Sequence, residues 1–204
     1  MNRYGIVLLA AGSSTRLGKP KQLLQFEGKS LVSRAAEAAV NSTADMVVVV
    51  VGGAAASVAP ELANLPLRIA FNNQFENGMA TSIRCGLAAL DRERIDGAIF
   101  MVCVQPYLSA TLLNELLNHG GRIADGIIAS AYGDTVGTPV FFALKYFPDL
   151  LKLEDTEGAK KLLKKYSDKV VAISFPEGVT DIDTMRDYDQ LLTREGKQKT
   201  SYTI

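Results

Sequence analysis

The sequence predicts a single α/β domain of Rossmann-like, doubly wound type, built on a mostly parallel sheet. Three observations carry that expectation. Short apolar runs alternate with stretches of helical spacing, the first run empties into a Gly/Ser-rich loop, and no linker, low-complexity block or repeat interrupts the 204 residues. Residues 5–10 form a continuous apolar run, as a strand covered on both faces must. Residues 30–41 have helical spacing, with Leu31, Ala35, Ala38 and Ala39 on one face. The β-branched run 46–51 is the next strand, and Gly52-Gly53 stops it. A short helix is expected over 56–65, a strand over 67–71, a helix over 82–90 and a strand over 97–104. Pro106 ends that strand, and Ser109 caps a helix reaching about Asn118. In the later third, strands at 126–131 and 139–143 flank a loop at 132–138. A polar helix at 158–166 precedes a strand at 170–174, and the last helix begins near Thr184. Residues 1–195 form the domain, and the polar stretch 196–204 is a frayed tail.

Composition narrows the function classes. Lys+Arg and Asp+Glu balance at 22 each, which argues against a nucleic-acid binder with its basic face. A phosphate site must therefore be local. Two cysteines, Cys85 and Cys103, suit a reduced, cytoplasmic chain better than a disulfide scaffold, and their apolar neighbours suggest buried structural thiols. The first apolar run lacks a signal-peptide cleavage pattern, and no run is long enough to span a bilayer. His119, the lone histidine, has no ligand spacing and reads as a surface residue.

The loop after the first strand carries the strongest chemical signal: Leu9-Ala10-Ala11-Gly12-Ser13-Ser14-Thr15-Arg16-Leu17-Gly18-Lys19-Pro20-Lys21. Small residues there let backbone N–H groups approach an anion, and Arg16, Lys19 and Lys21 add positive charge. Lys19 is followed by Pro20, so the Ser/Thr of a Walker A loop is missing, and the dinucleotide fingerprint is absent too. An anion site outweighs the alternative of a polar connection with incidental basic residues.

The pattern Leu-Ala-Ala-Gly-x-x-x-Arg-x-Gly-x-x-Lys, continued by Gln22-Leu23-Leu24, resembles the signature of the MobA/MocA-like nucleotidyltransferases, which attach GMP or CMP to molybdopterin. The likeness continues through residues 72–86, Gln105-Pro106, Gly137-Thr138-Pro139 and Asp181-Ile182-Asp183-Thr184, in the family's order. It implies that Leu9, Ala10, Ala11, Gly12 and Lys21 surround the NTP phosphates, with Arg16 a second phosphate contact and Lys21 stabilising the departing charge. It also implies base and ribose recognition by Asn72, Gly78 and Ser82, with Gln105 beside the nucleotide, and an acceptor side at Gly137, Thr138 and Pro139. Relatives often carry Gly-His-Pro or Gly-Asn-Pro there, and Glu157-Gly158-Ala159-Lys160 resembles the family's Asp-x-Gly-Ala-Arg segment with Lys160 in place of the arginine. Ala11 and the 20–24 extension resemble the cytidylyl branch, so CTP is expected over GTP, a molybdopterin-type compound as acceptor and a molybdoenzyme as a further partner.

The resemblance also implies Mg²⁺, held by Asp183. The family's other metal-binding aspartate stands directly before Gln-Pro, where this chain has Val104. Valine offers no oxygen to a hard cation, so a weakened site is expected. Asp181 is a further candidate ligand, and a helix cap is an equal alternative for one of the two aspartates. Two rival functions follow: a nucleotide- or cofactor-binding homologue without turnover, and a transferase for another phosphorylated acceptor.

Overall fold

The computed structural model describes residues 2–12, 19–91, 94–123 and 125–201, without the side chains of 195–201. Strand β1 (Tyr4–Ala10) is followed by a two-strand ribbon, β2 (Gln25–Phe26) and β3 (Lys29–Ser30), turned at Glu27 and Gly28. Helix α1 (Leu31–Val40) starts at Ser30, whose hydroxyl accepts from the Ser33 amide. Then come β4 (Met46–Val51), α2 (Ala55–Val58), β5 (Arg68–Phe71), α3 (Met79–Ala89) and β6 (Gly97–Val102). The later part holds α4 (Ala110–Arg122), β7 (Ile127–Tyr132), β8 (Thr135–Ala143), α5 (Phe147–Leu151), α6 (Lys160–Lys165), β9 (Val170–Ser174) and α7 (Met185–Ser201).

Seven of the strands form one sheet in the order β5-β4-β1-β6-β8-β7-β9. β1 lies between β4 and β6 and is parallel to both, β4 is parallel to β5, and β9 runs parallel to β7. Only β8 opposes its neighbours, lying antiparallel between β6 and β7. The doubly wound, mostly parallel expectation holds. Its cause is visible in β1 and β4, where Ile6, Val7, Leu8 and Val48–Val50 are all sealed from water. Side chains on both faces of these strands meet helices, so no polar alternation is possible. α1 turns Leu31, Ala35 and Ala39 inward, and its small residues let it lie close to the sheet.

Several boundaries differ from the expectation. Residues 135–138 belong to β8, so the supposed loop shrinks to a turn at Gly133-Asp134, where Gly133 takes a positive φ of 52°. β6 ends at Val102 instead of 104, because its pairing with β1 stops there and Val104 turns its carbonyl to the amide of Ile182. α3 starts at Met79, three residues early, with Gly78 at its cap. Pro60 converts the expected helix after β4 into one α turn and one 3-10 turn. α5 had no counterpart in the sequence reading. α7 continues through Glu195 to Ser201, where a frayed tail was expected. Cys103 is buried as expected, whereas Cys85 is only half-buried. No helix among the described residues is long and apolar enough to cross a membrane.

Candidate active site

A cleft of about 590 Å³ opens where the carboxyl ends of β1 and β6 meet the turn after Pro20. This is where an open α/β sheet leaves room for ligands. Leu9, Ala10, Ala11 and Gly12 form one edge, and Cys103 and Val104 form the adjoining wall. Lys21 reaches in from the 3-10 turn Lys21–Leu23. Its ammonium lies 2.8 Å from Oδ1 of Asp183, a contact across 162 residues of chain. Asp183 arrives there because the amide of Ile182 donates to the carbonyl of Val104 at 3.0 Å, docking residues 181–183 against the end of β6.

The helix cap expected of Asp181 or Asp183 falls elsewhere. Thr184 and Asp187 cap α7 reciprocally: the Asp187 carboxylate accepts from the Thr184 amide at 2.7 Å, and the Asp187 amide donates to the Thr184 hydroxyl. Both aspartates of the 181–183 segment therefore keep their oxygens for the cleft, where both line the wall. Asp181 opens onto the cleft yet is crowded by its walls. That desolvation, with the charge of Asp183 next, lifts its pKa to about 6 against the opposing pull of Lys21. Val104 beside them is 6% exposed and purely apolar.

Gln22 holds the edge of the anion loop. It is 1% exposed, and its Nε2 donates to the carbonyls of Ala10 at 2.9 Å and Gly12 at 2.7 Å. One buried amide thus ties together the backbone at this edge of the cleft. Its place within the signature was the only trace of this role. Arg16 lies outside the described residues.

Gly78, Met79 and Ser82 at the start of α3 line a second edge of the cleft. Asn72 does not line it. It is buried, its Nδ2 donates to the hydroxyls of Thr81 at 2.8 Å and Ser82 at 3.0 Å, and its Oδ1 accepts from the Gln74 amide. Gln105 is likewise behind the wall, 3% exposed, with Nε2 donating to the carbonyls of Thr138 at 3.2 Å and Gly178 at 3.3 Å. Gly137 and Thr138 face the cleft from β8, whereas Pro139 is buried behind them and its carbonyl accepts from Ser130. Tyr132 packs its hydroxyl so close to Gly137 that a Cβ there would collide with it, and burial raises the phenol's pKa. Val102, Val136, Val140 and Leu163 add apolar lining, and Thr156 and Lys160 add polar groups. Burial pushes the Cys103 thiol up to about 12, so it behaves as wall and not as nucleophile. His119 sits in the last turn of α4, away from the cleft.

A family model, the MobA-like NTP transferase domain, matches residues 6–170. The chain belongs to the MobA-like NTP transferase family. It is accordingly a nucleotidyltransferase by family. The nicotine blue oxidoreductase of Paenarthrobacter nicotinovorans is 31% identical over 91% of this chain and 95% of that protein. The purine catabolism protein PucB of Bacillus subtilis is 27% identical over 91% of this chain and 94% of that protein. Among solved structures, Rv0371c of Mycobacterium tuberculosis aligns with a TM-score of 0.80 and 30% identity, covering 94% of this chain and 98% of that one. The same mycobacterial protein is also known as a complex with manganese, at a TM-score of 0.76 and 27% identity over 94% of this chain and 98% of that one.

Among the described residues no group of three or more His, Cys, Asp or Glu comes together as a metal site. Against that stands the pair Asp181 and Asp183, whose mutual repulsion leaves room for added positive charge. The donor set fits a divalent cation held from one side, by two carboxylates, with water and ligand oxygens completing its shell. The family's other carboxylate position, at Val104, contributes no donor.

Proposed function

We propose that this MobA-like chain is a CTP:molybdopterin-type cytidylyltransferase. In the reaction an oxygen of the acceptor's phosphate bonds to the α-phosphorus of CTP. The bond from that phosphorus to the bridging oxygen breaks, and pyrophosphate leaves with the electron pair. The observation that carries the reading is the Lys21 ammonium, 2.8 Å from Oδ1 of Asp183 in the cleft that Ala11 and Gly12 also line, where a triphosphate would need a cation.

In this reading the backbone of residues 9–12 cradles the phosphates, and Lys21 and Arg16 neutralise charge on the α-phosphate and the leaving group. Gly78 and Ser82 meet the base and ribose, Asn72 holding the Ser82 hydroxyl from behind. Gly137 and Thr138 face the acceptor, with Gln105 and Pro139 fixing their backbone. Asp183, with Asp181, would hold Mg²⁺, which supplies Lewis-acid polarisation of phosphate oxygens when bound. Ala11 at the cleft edge favours the smaller pyrimidine base, and a molybdoenzyme would receive the product.

Val104 favours a second reading, a homologue that binds nucleotide but turns it over slowly or not at all. A transferase for another phosphorylated acceptor keeps the same nucleotide half and differs only on the apolar side. Calorimetry with CTP and GTP at saturating Mg²⁺, followed by turnover with candidate acceptors, separates the three. CTP is expected to bind the more tightly. Equal or reversed affinities defeat the cytidylyl assignment, and binding without turnover selects the second reading.

A further inference from the structure

Arg84, on the second turn of α3, is absorbed by none of the roles above. Its Nη1 donates to the carbonyl of Leu153 at 2.8 Å, and its Nη2 pairs with the carboxylate of Asp155. Both acceptors lie on the stretch between α5 and α6. Two more contacts tie that stretch to the start of α3. The amide of Ala80 donates to the Asp155 carbonyl at 3.1 Å, and Gly78 sits so close to the same carbonyl that a Cβ would collide with it. Gly78 has a φ of 135°, which only glycine adopts readily, so the close approach is built into the backbone. Farther along, Gly158 rests against the sulfur of Met79.

The stretch also braces itself. The amide of Glu157 donates to the Glu154 carbonyl at 2.8 Å, and the Glu154 amide donates to the Glu157 carboxylate at 2.9 Å. Residues 153–158 are therefore one stiff turn fastened to α3. Beyond the fastening, Thr156, Gly158, Ala159 and Lys160 line the cleft. Met79 and Ser82, on the other side of the fastening, line it too.

We infer that Arg84 is a positioning residue: by holding residues 153–155 against α3, it makes the nucleotide-facing wall and the wall at 156–160 one mechanical body. This rests on the proposed nucleotide role of α3. A guanidinium suits the task because its fixed fork spans a carbonyl and a carboxylate at once, which an ammonium does less well. The consequence is coupling. A nucleotide that orders the start of α3 also orders the far wall, so the second substrate meets a formed surface only after the first has bound.

Hydrogen exchange of the full chain tests this, with CTP and Mg²⁺ as the probe. In nucleotide-free protein, Arg84→Met is expected to speed exchange at 153–160 by about tenfold or more while β1 and β4 keep their rates. In the parent, CTP should slow exchange at both 79–83 and 156–160. In Arg84→Met it should slow 79–83 alone, with CTP still bound by calorimetry. Asp155→Asn, at a half-exposed site, should act in the same direction more weakly. The double variant should be no worse than Arg84→Met, since both remove one clamp. Unchanged exchange in the nucleotide-free variant, or undiminished CTP protection at 156–160, overturns the inference. CTP that binds the parent but leaves 156–160 unaffected overturns it while sparing the proposed function. If neither CTP nor GTP gives binding heat with the parent, the proposed function fails and the coupling with it.

Discussion

The two halves of the cleft are made differently. At the foot, Lys21, Asp181 and Asp183 gather charge in one place, and the backbone beside them is pinned by the buried Gln22. Away from the foot the cleft is lined mainly by Val102, Val136, Val140, Ala159 and Leu163, with Tyr132, Thr138, Thr156 and Lys160 among its polar groups. The contrast says where chemistry and selection reside. In the proposed reaction, electrostatic stabilisation of the transferring group would fall at the foot, whereas a partner in the rest of the cleft would be sorted by shape and by a small number of hydrogen bonds.

Removing the foot's cation should have the largest effect. Lys21→Ala is expected to weaken CTP affinity roughly 10- to 100-fold, the equivalent of about 1.5–3 kcal/mol for a charge-assisted contact. Its melting temperature should stay near that of the parent. Unchanged CTP binding in a folded variant would show that the charge at the foot is incidental, and the contrast between the halves would collapse. Val104→Asp carries a carboxylate across the boundary between the halves. Beside the docked Ile182 it would face Asp181 and Asp183, so Mg²⁺·CTP binding and turnover should rise by about tenfold. Without ligand, three crowded carboxylates should lower stability, because a poorly solvated charge lacks a partner. A folded variant with unimproved Mg²⁺·CTP affinity would mean that the metal position has diverged beyond this residue.

A smaller effect is expected from Gln22→Leu, which keeps the buried volume but takes the buried donor from the carbonyl of Ala10 and frees the exposed Gly12 from its tie. Each buried group left unpaired costs about 1–3 kcal/mol, so the melting temperature should fall by several degrees. CTP affinity should fall only a few-fold, since no charge is lost. If the variant melts and binds as the parent does, Gln22 does not shape the anion edge.

These differences also explain what could be read before the structure. The 5–10 and 46–51 strands were legible because their covering on both faces writes itself as unbroken apolar sequence. The signature after β1 was legible because its residues are contiguous. Gln22 was not, since its partners lie 10 and 12 residues upstream and meet it only once the loop has folded back. Asn72 shows the opposite error. A polar amide in a matching segment suggested contact with a base, yet its hydrogen bonds are spent within the protein on Thr81, Ser82 and Gln74. The stretch at 132–138 misled because Gly133, Asp134 and Thr135 have loop chemistry, while pairing with β7 draws the last of them into a strand. Arg84 and Asp155 carry no local signal at all, being joined only by the packing of α3 against the turn before α6.

The docking of Ile182 on Val104 has a consequence for the order in which this site comes into being on the ribosome. Synthesis proceeds from the N-terminus, and the parallel core of β1, β4, β5 and β6 is complete once residue 102 has been made. Lys21 is then present, but the carboxylate that meets it is still 81 residues from being added, as 183 − 102 gives. A nascent chain emerging at roughly 5–20 residues per second therefore spends several seconds with Lys21 made and Asp183 still to come. The charged foot is thus the last part of the cleft to be completed.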